Sequence, residues 1–196
     1  FTDDNASNLK GSTFSLSNVL LNAASSTNKN FTIAASADDF VLDAGSLFTV
    51  NAAGAGTGYN LNELSFLNGG SLRVEGVTLT TGETNAVIQV GKLDLSGSGT
   101  LSVSADITDD FNLLEDDGET FSQTLIAYGD LIGLNSGEDP KDHLGVSDDL
   151  GLSPITSGGA TTAWVSWDGD IRFVPGSGTS GSVVMAYQLV ELLLAL

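Results

Sequence analysis

Between Leu42 and Ile107 one short pattern recurs three times, as LDAGSLFTVNA, FLNGGSLRVEGVTL and LDLSGSGTLSVSADI. Each copy has a leucine, a short glycine-bearing turn, a serine or threonine, and a second leucine that opens an alternating run. The first leucine recurs at Leu42, Leu67 and Leu95, in steps of 25 and 28 residues. The third copy carries one extra turn residue, within Gly97-Ser98-Gly99. Recurrence at this period marks stacked strand–turn units. A unit this short cannot bury its apolar face alone and must lean on the next. The expected fold is therefore all-β, a right-handed parallel β-solenoid (β-helix), with Leu47, Leu72, Leu93 and Leu101 inside.

Composition sets the outer limits. At 196 residues one domain is the default, and 41% hydrophobic residues suffice for a core. The 24 glycines against 3 prolines suit tight turns between short strands. A formal charge of −19 argues against nucleic acid, which needs a basic stripe to neutralise phosphates. It also disfavours an anionic lipid surface and favours solubility. Without cysteine there are no disulfides or thiolate metal sites. No run of 18 apolar residues predicts a transmembrane helix. Phe1 in place of an initiator methionine reads as a processed or trimmed chain.

Four segments follow from the pattern. Residues 1–30, rich in Asn and Ser, read as an opening cap with one short strand run, STFSLSNVLL. Residues 31–107 are the solenoid repeats, whose β-branched and aromatic residues alternate with period two. The Gly54-Ala55-Gly56-Thr57-Gly58 run within them lacks the following helix of a dinucleotide loop and reads as a solenoid corner. Residues 108–175 are acidic terminal coils and a cap that covers the open sheet edge. Residues 176–196 are a flexible linker, PGSGTSGS, and an apolar tail, VVMAYQLVELLLAL.

In TTAWVSWDGDIRFV, Asp168-Gly169 is a favoured two-residue hairpin turn. That register sets Trp167 against Asp170, Ser166 against Ile171, and Trp164 against Phe173, as a capping hairpin rather than a sugar-binding shelf. The tail is too short to span a membrane and too apolar to stay wet. Its candidate interface residues are Val183, Val184, Met185, Tyr187, Leu189, Val190, Leu192, Leu193, Leu194 and Leu196. Either the chain's own sheet or a neighbour's edge would cover them, and the linker favours the neighbour.

Catalytic chemistry is sparse. His143 is the only histidine, so a Ser-His-Asp site would have to use it, oriented by Asp142 or Asp148. No GxSxG elbow accompanies it, and in EDPKDHLG a solvated loop histidine is expected. Carboxylate pairs are unavoidable among 25 acids and carry little signal. A solenoid lyase also needs a base and a cationic clamp, for which the body offers Arg73, Lys92 and Arg172. Hard cations want several oxygen ligands, so calcium at Glu115, Asp116, Asp117 and Glu119 is the one metal expectation, weighed against a solvated charge cluster.

The repeats LxxGSL, GGSLRVEG and GTLSVSADI resemble the passenger repeats of bacterial autotransporters and autotransporter-associated β-strand repeat proteins. DGETFSQTLIAYGDLIGL and TTAWVSWDGDIRFV are similar to the end of such passengers, so the resemblance covers roughly residues 40–175. After Val174-Pro175 the chain departs from the family, lacking the acidic-Pro motif and basic end of a sorting tail. The resemblance implies a secreted or surface-displayed solenoid of a bacterial cell, non-enzymatic, with a structural or adhesive role. Its partners would be a host or cell-surface ligand or further copies of itself. The alternatives are a self-assembling subunit of an extracellular filament or sheath, joined by the apolar tail, and a carbohydrate-active solenoid enzyme.

Overall fold

The computed structural model describes residues 13–16, 20–22, 39–43, 46–52, 59–78, 85–106, 120–149, 152–157 and 160–194. The described strands are β1 (Thr13–Leu16), β2 (Leu20–Asn22), β3 (Asp39–Leu42), β4 (Leu47–Asn51), β5 (Tyr59–Phe66), β6 (Gly70–Thr78), β7 (Ile88–Asp94), β8 (Gly99–Asp106) and β9 (Thr120–Ile132). A one-turn helix α1 (Pro140–His143) then leads into β10 (Leu144–Asp148), β11 (Leu152–Ser157), β12 (Ala160–Pro175) and β13 (Gly181–Leu194). The fold is all-β, as expected. From β1 to β10 the chain alternates between two sheets. Odd-numbered strands run β1-β3-β5-β7-β9 in the larger sheet, and even-numbered ones run β10-β8-β6-β4-β2 in the smaller. All pairings within these two runs are parallel.

Between the sheets lie columns of apolar side chains, one residue from each strand. Phe48, Leu72 and Leu101 form one column, and Val50, Val74 and Val103 the next. Facing them, Phe40, Leu64 and Leu93 stack, and Leu42 pairs with Phe66. All of these are buried. The column through Phe48, Leu72 and Leu101 steps by 24 and then 29 residues, which corrects the sequence register. Leu67 is a half-buried turn residue, and Phe66 takes the core position beside Leu42. Leu47 is likewise half-buried, paired with Ser71, while Phe48 is fully enclosed. Where two apolar residues are adjacent, alternation alone cannot say which points inward. The larger ring gains more from burial, and Phe48 stacks on Phe40 with centroids 5.4 Å apart. Leu72, Leu93 and Leu101 are buried as expected.

Strands β5 and β7 each turn a corner. Buried Leu61 and Leu64 flank Asn62 and Glu63, which face out, and buried Val90 and Leu93 flank exposed Gly91 and Lys92. Two successive outward residues reset the alternation and bend the strand. The coils can stack there because Gly91 and Gly129 let neighbouring backbones approach. A Cβ on Gly91 would lie 2.7 Å from the Asn62 carbonyl oxygen, and one on Gly129 would lie 2.9 Å from that of Gly91.

The closing end differs from the expectation. After β9 the larger sheet continues β13-β12-β11, and each of these three pairings is antiparallel. The sheet is thus mixed. Asp168-Gly169 makes no turn; it lies inside β12, with Asp168 paired to Gln188 and Gly169 to Tyr187. Trp164 pairs with Leu193 on one side and Pro154 on the other, and Phe173 pairs with Val183. A Cβ on Gly169 would fall 2.2 Å from the Ala186 carbonyl oxygen and 2.7 Å from Tyr187 Cα, so this glycine lets the β13 backbone come close across the ladder. Partners on both sides of β12 override a local turn signal. Pro154 sits on β11, the outermost strand, where a residue without an N–H is tolerated.

The stretch read as a linker is the real hairpin turn. Gly176 N–H donates to the Ser180 carbonyl at 2.9 Å, and Ser180 N–H donates to that of Ser177 at 3.3 Å. The apolar segment behind it returns as β13, between β9 and β12 of the same chain. Val183, Met185 and Tyr187 are buried in their own core. They are covered in cis by their own sheet, where the sequence favoured a neighbour's edge. Val184 is half-buried. The backbone of Leu189, Leu192, Leu193 and Leu194 continues along β12, with Val190 at a register shift. Leu196 lies outside the described residues.

Candidate functional site

Polar side chains gather where β10 meets the antiparallel strands. The route from β9 to β10 is an excursion built around α1. Asp139 is its N-cap, accepting from the Lys141 N–H at 2.9 Å, and Pro140 opens the turn where no N–H is needed. Upstream, Glu138 accepts from the Asn135 backbone N–H at 2.8 Å and from its side-chain amide at 2.9 Å. These bonds favour the ionised form and hold the Glu138 carboxyl below its usual range, with the nearby His143 adding to the effect.

Three side chains, His143, Lys141 and Tyr187, then fasten the excursion. His143 Nε2 lies 3.2 Å from Glu138 Oε2, and Nδ1 lies 3.3 Å from the Gly97 carbonyl in the turn between β7 and β8. Lys141 Nζ lies 3.1 Å from Asp170 on β12. The Tyr187 hydroxyl on β13 donates to Asp148 on β10. Burial raises the Tyr187 hydroxyl pKa well above its ordinary value, and the hydrogen bond to Asp148 and the charges of Asp148 and Asp170 raise it further. Just beyond β10, Asp149 accepts from the Ser104 hydroxyl at 2.7 Å and the Ala105 N–H at 3.0 Å. The smaller sheet is thereby stitched to the closing strands by charge and hydrogen bonds.

The outer face of the larger sheet carries a second arrangement. Asp39, Glu63, Lys92 and Asp130 occupy one register column. Lys92 sits 3.8 Å from Glu63, between two acids in the ladder, and Asn62 donates to Asp39 at 2.6 Å. On the smaller sheet Arg73 pairs with Glu75 at 2.9 Å. Arg73 and Lys92 thus lie on different sheets, each beside its own glutamate. Arg172 lies on β12 and faces out.

The expected residues fall as follows. Glu115, Asp116, Asp117 and Glu119 lie outside the described residues. Among the described residues no three His, Asp or Glu side chains are placed to hold a metal ion. His143 is not a solvated loop histidine: it ends α1, half-buried, with partners on both ring nitrogens. Asp148 serves Tyr187, not His143. The fastening contacts through Glu138, Lys141, Asp170 and Tyr187 were not read from the sequence. A local signal that could have located α1 is Asp139 before Pro140, a capping acid followed by a first-turn proline. No helix among the described residues is long and apolar enough to cross a membrane. No protein-family model, curated protein or solved structure matches this chain.

Proposed function

We propose that the chain is a right-handed β-solenoid serving a structural or adhesive role outside the cell or at a bacterial cell surface, without enzymatic activity. The observation that carries this reading is the strand order. Among the described residues, β1 to β10 alternate between two parallel ladders, and buried apolar columns run through β3 to β8, as stacked coils require. Each return to the same sheet is a parallel crossover, and such crossovers are right-handed in about 98% of cases. The sequence likeness to autotransporter passenger repeats points the same way.

Two further features fit a display surface. Charged and polar side chains cover the outer faces at the column through Asp39, Glu63, Lys92 and Asp130. Of the clamp candidates, Arg73 and Lys92 lie on different sheets, each beside its own glutamate, and Arg172 lies on β12, which does not favour a convergent cationic clamp for a sugar acid. Calcium at Glu115, Asp116, Asp117 and Glu119 is the accompanying cofactor proposal. In that case millimolar calcium raises the melting temperature relative to chelator, by mass action on the folded state. An unchanged curve leaves a solvated acidic cluster.

Electron microscopy and light scattering on purified native material test the functional reading. Separate elongated particles that hold coated beads to cell surfaces support adhesion or display. Ordered filaments would replace it with the assembly alternative. Its connector would not be the Val183–Tyr187 stretch, whose buried residues are already covered in cis. Turnover of a polysaccharide would replace it with the enzyme alternative.

A further inference from the structure

His143 stands between two acceptors. One ring nitrogen faces the Glu138 carboxylate at 3.2 Å and the other faces the Gly97 carbonyl oxygen at 3.3 Å. Neither partner can donate. A neutral imidazole has a single N–H, so it can satisfy only one of them, whereas the imidazolium donates to both. The two partners belong to different parts of the fold: Glu138 to the excursion between β9 and α1, Gly97 to the turn between β7 and β8. The charge on the ring therefore decides whether His143 can hold both at once: a neutral ring gives its one N–H to the carboxylate, the stronger acceptor, and its bond to the β7–β8 turn of the preceding coil is lost.

We propose that His143 is a proton-dependent latch, which ties the excursion around α1 to the β7–β8 turn when charged and loosens it when neutral. Among the charged groups of the excursion and of β10, Asp142 is exposed, and the others have partners of their own. Glu138 is kept ionised by its two hydrogen bonds from Asn135, so it remains an anion where histidines take up protons. Asp139 is occupied as the helix cap. Lys141 is held by Asp170 on β12, and Asp148 by Tyr187 on β13. Neither of these two contacts involves an imidazole, the side chain whose ordinary charge change falls between about pH 5.5 and 8. They still hold α1 and β10 when the ring is neutral, so losing the proton lowers the cost of opening α1 without unfolding the coil.

Lys141 supplies a local readout, because trypsin can cut after it only when α1 is released. The cutting rate at Lys141 in the full chain is measured at about pH 5.5 and about pH 8. Each rate is divided by that of an unstructured peptide of the same local sequence. The latch predicts that this ratio rises roughly threefold to tenfold at the higher pH, the effect of one charge-assisted hydrogen bond at a partly exposed site. His143→Gln, which carries no titrating proton, should show the same ratio at both pH values. A flat ratio in the parent chain, or an equal rise in the variant, overturns the proposal. Should the variant fail to fold, nitrogen NMR of the single histidine decides with the parent alone. The amides of Ser98 and Glu138 are expected to shift with the ring's titration, and ring titration without those shifts overturns the latch.

Discussion

Replacing Gly70 by alanine is the sharpest local test of how the coils stack. Gly70 opens β6 at the turn that follows Phe66. A Cβ built there lies 2.1 Å from the Leu42 carbonyl oxygen and 2.4 Å from its carbon, both backbone atoms of the coil before. Real Cβ atoms essentially never come closer than 3.0 Å, so the two turns must part by about 1 Å. The same carbonyl accepts from the Leu67 N–H at 2.8 Å, and parting the turns strains that bond too. Overpacking costs about 1–3 kcal/mol and a weakened hydrogen bond about 1 kcal/mol, so the variant should lose roughly 3 kcal/mol. Its neighbour is the control. Gly69 has open space around its Cβ position but a φ of +87°, so alanine there meets only backbone strain, about 1–2 kcal/mol. Urea unfolding followed by far-UV circular dichroism reads both. With a slope of about 2–3 kcal/mol/M, the midpoint for Gly70→Ala should fall by roughly 1–1.5 M. A Gly70→Ala variant no less stable than Gly69→Ala would refute the stacking of these turns.

The corrected register makes a paired prediction: Phe48→Ala should cost about 3–5 kcal/mol and Leu47→Ala only about 1 kcal/mol, read from the same unfolding curves. Equal costs, or the reverse order, would restore the register in which Leu47 is the core residue. Tyr187 gives an alkaline test. Its folded pKa is raised above the unfolded value, so the stability it contributes is complete below about pH 10 and is lost as pH climbs from there through the folded value. Tyr187→Phe should be less stable than the parent at neutral pH, by about 1–2 kcal/mol, and should lose less stability between about pH 9.5 and 11. Parallel pH curves for the two chains would show that the Tyr187–Asp148 contact does not couple to folding.

The strand class and the stacking were legible because the signal is periodic. Leu72, Leu93 and Leu101 each sit in a clean apolar–polar alternation, and alternation is what places a side chain on one face of a strand. The register failed where two apolar residues stand side by side, at Leu47-Phe48 and Phe66-Leu67, since period two permits either choice. The closing end failed for another reason. Asp168-Gly169 and PGSGTSGS are both good turn sequences, and local chemistry ranks the first higher. What decides between them is non-local: β12 has β11 on one side and β13 on the other, and Gly169 lets the β13 backbone at Ala186 and Tyr187 come close. The polar seam was invisible for the same reason. Asp148 and Tyr187 are 39 residues apart, and Lys141 and Asp170 are 29 apart. No spacing rule joins such pairs before the strands are in place.

The central claim is that successive coils stack in parallel, in the register that sets Arg73 beside Ser102. The chain has no cysteine, so an introduced pair reports alone. Directly paired residues of neighbouring strands lie about 5 Å apart, within the range a disulfide spans. Arg73→Cys with Ser102→Cys should therefore close an intramolecular disulfide under mild oxidation, seen as a two-proton mass loss and a linked peptide pair. Arg73→Cys with Ser104→Cys, two positions out of register, should stay largely reduced under the same conditions. Preferential closure of the second pair, or of neither, would contradict the stacked arrangement on which the account rests.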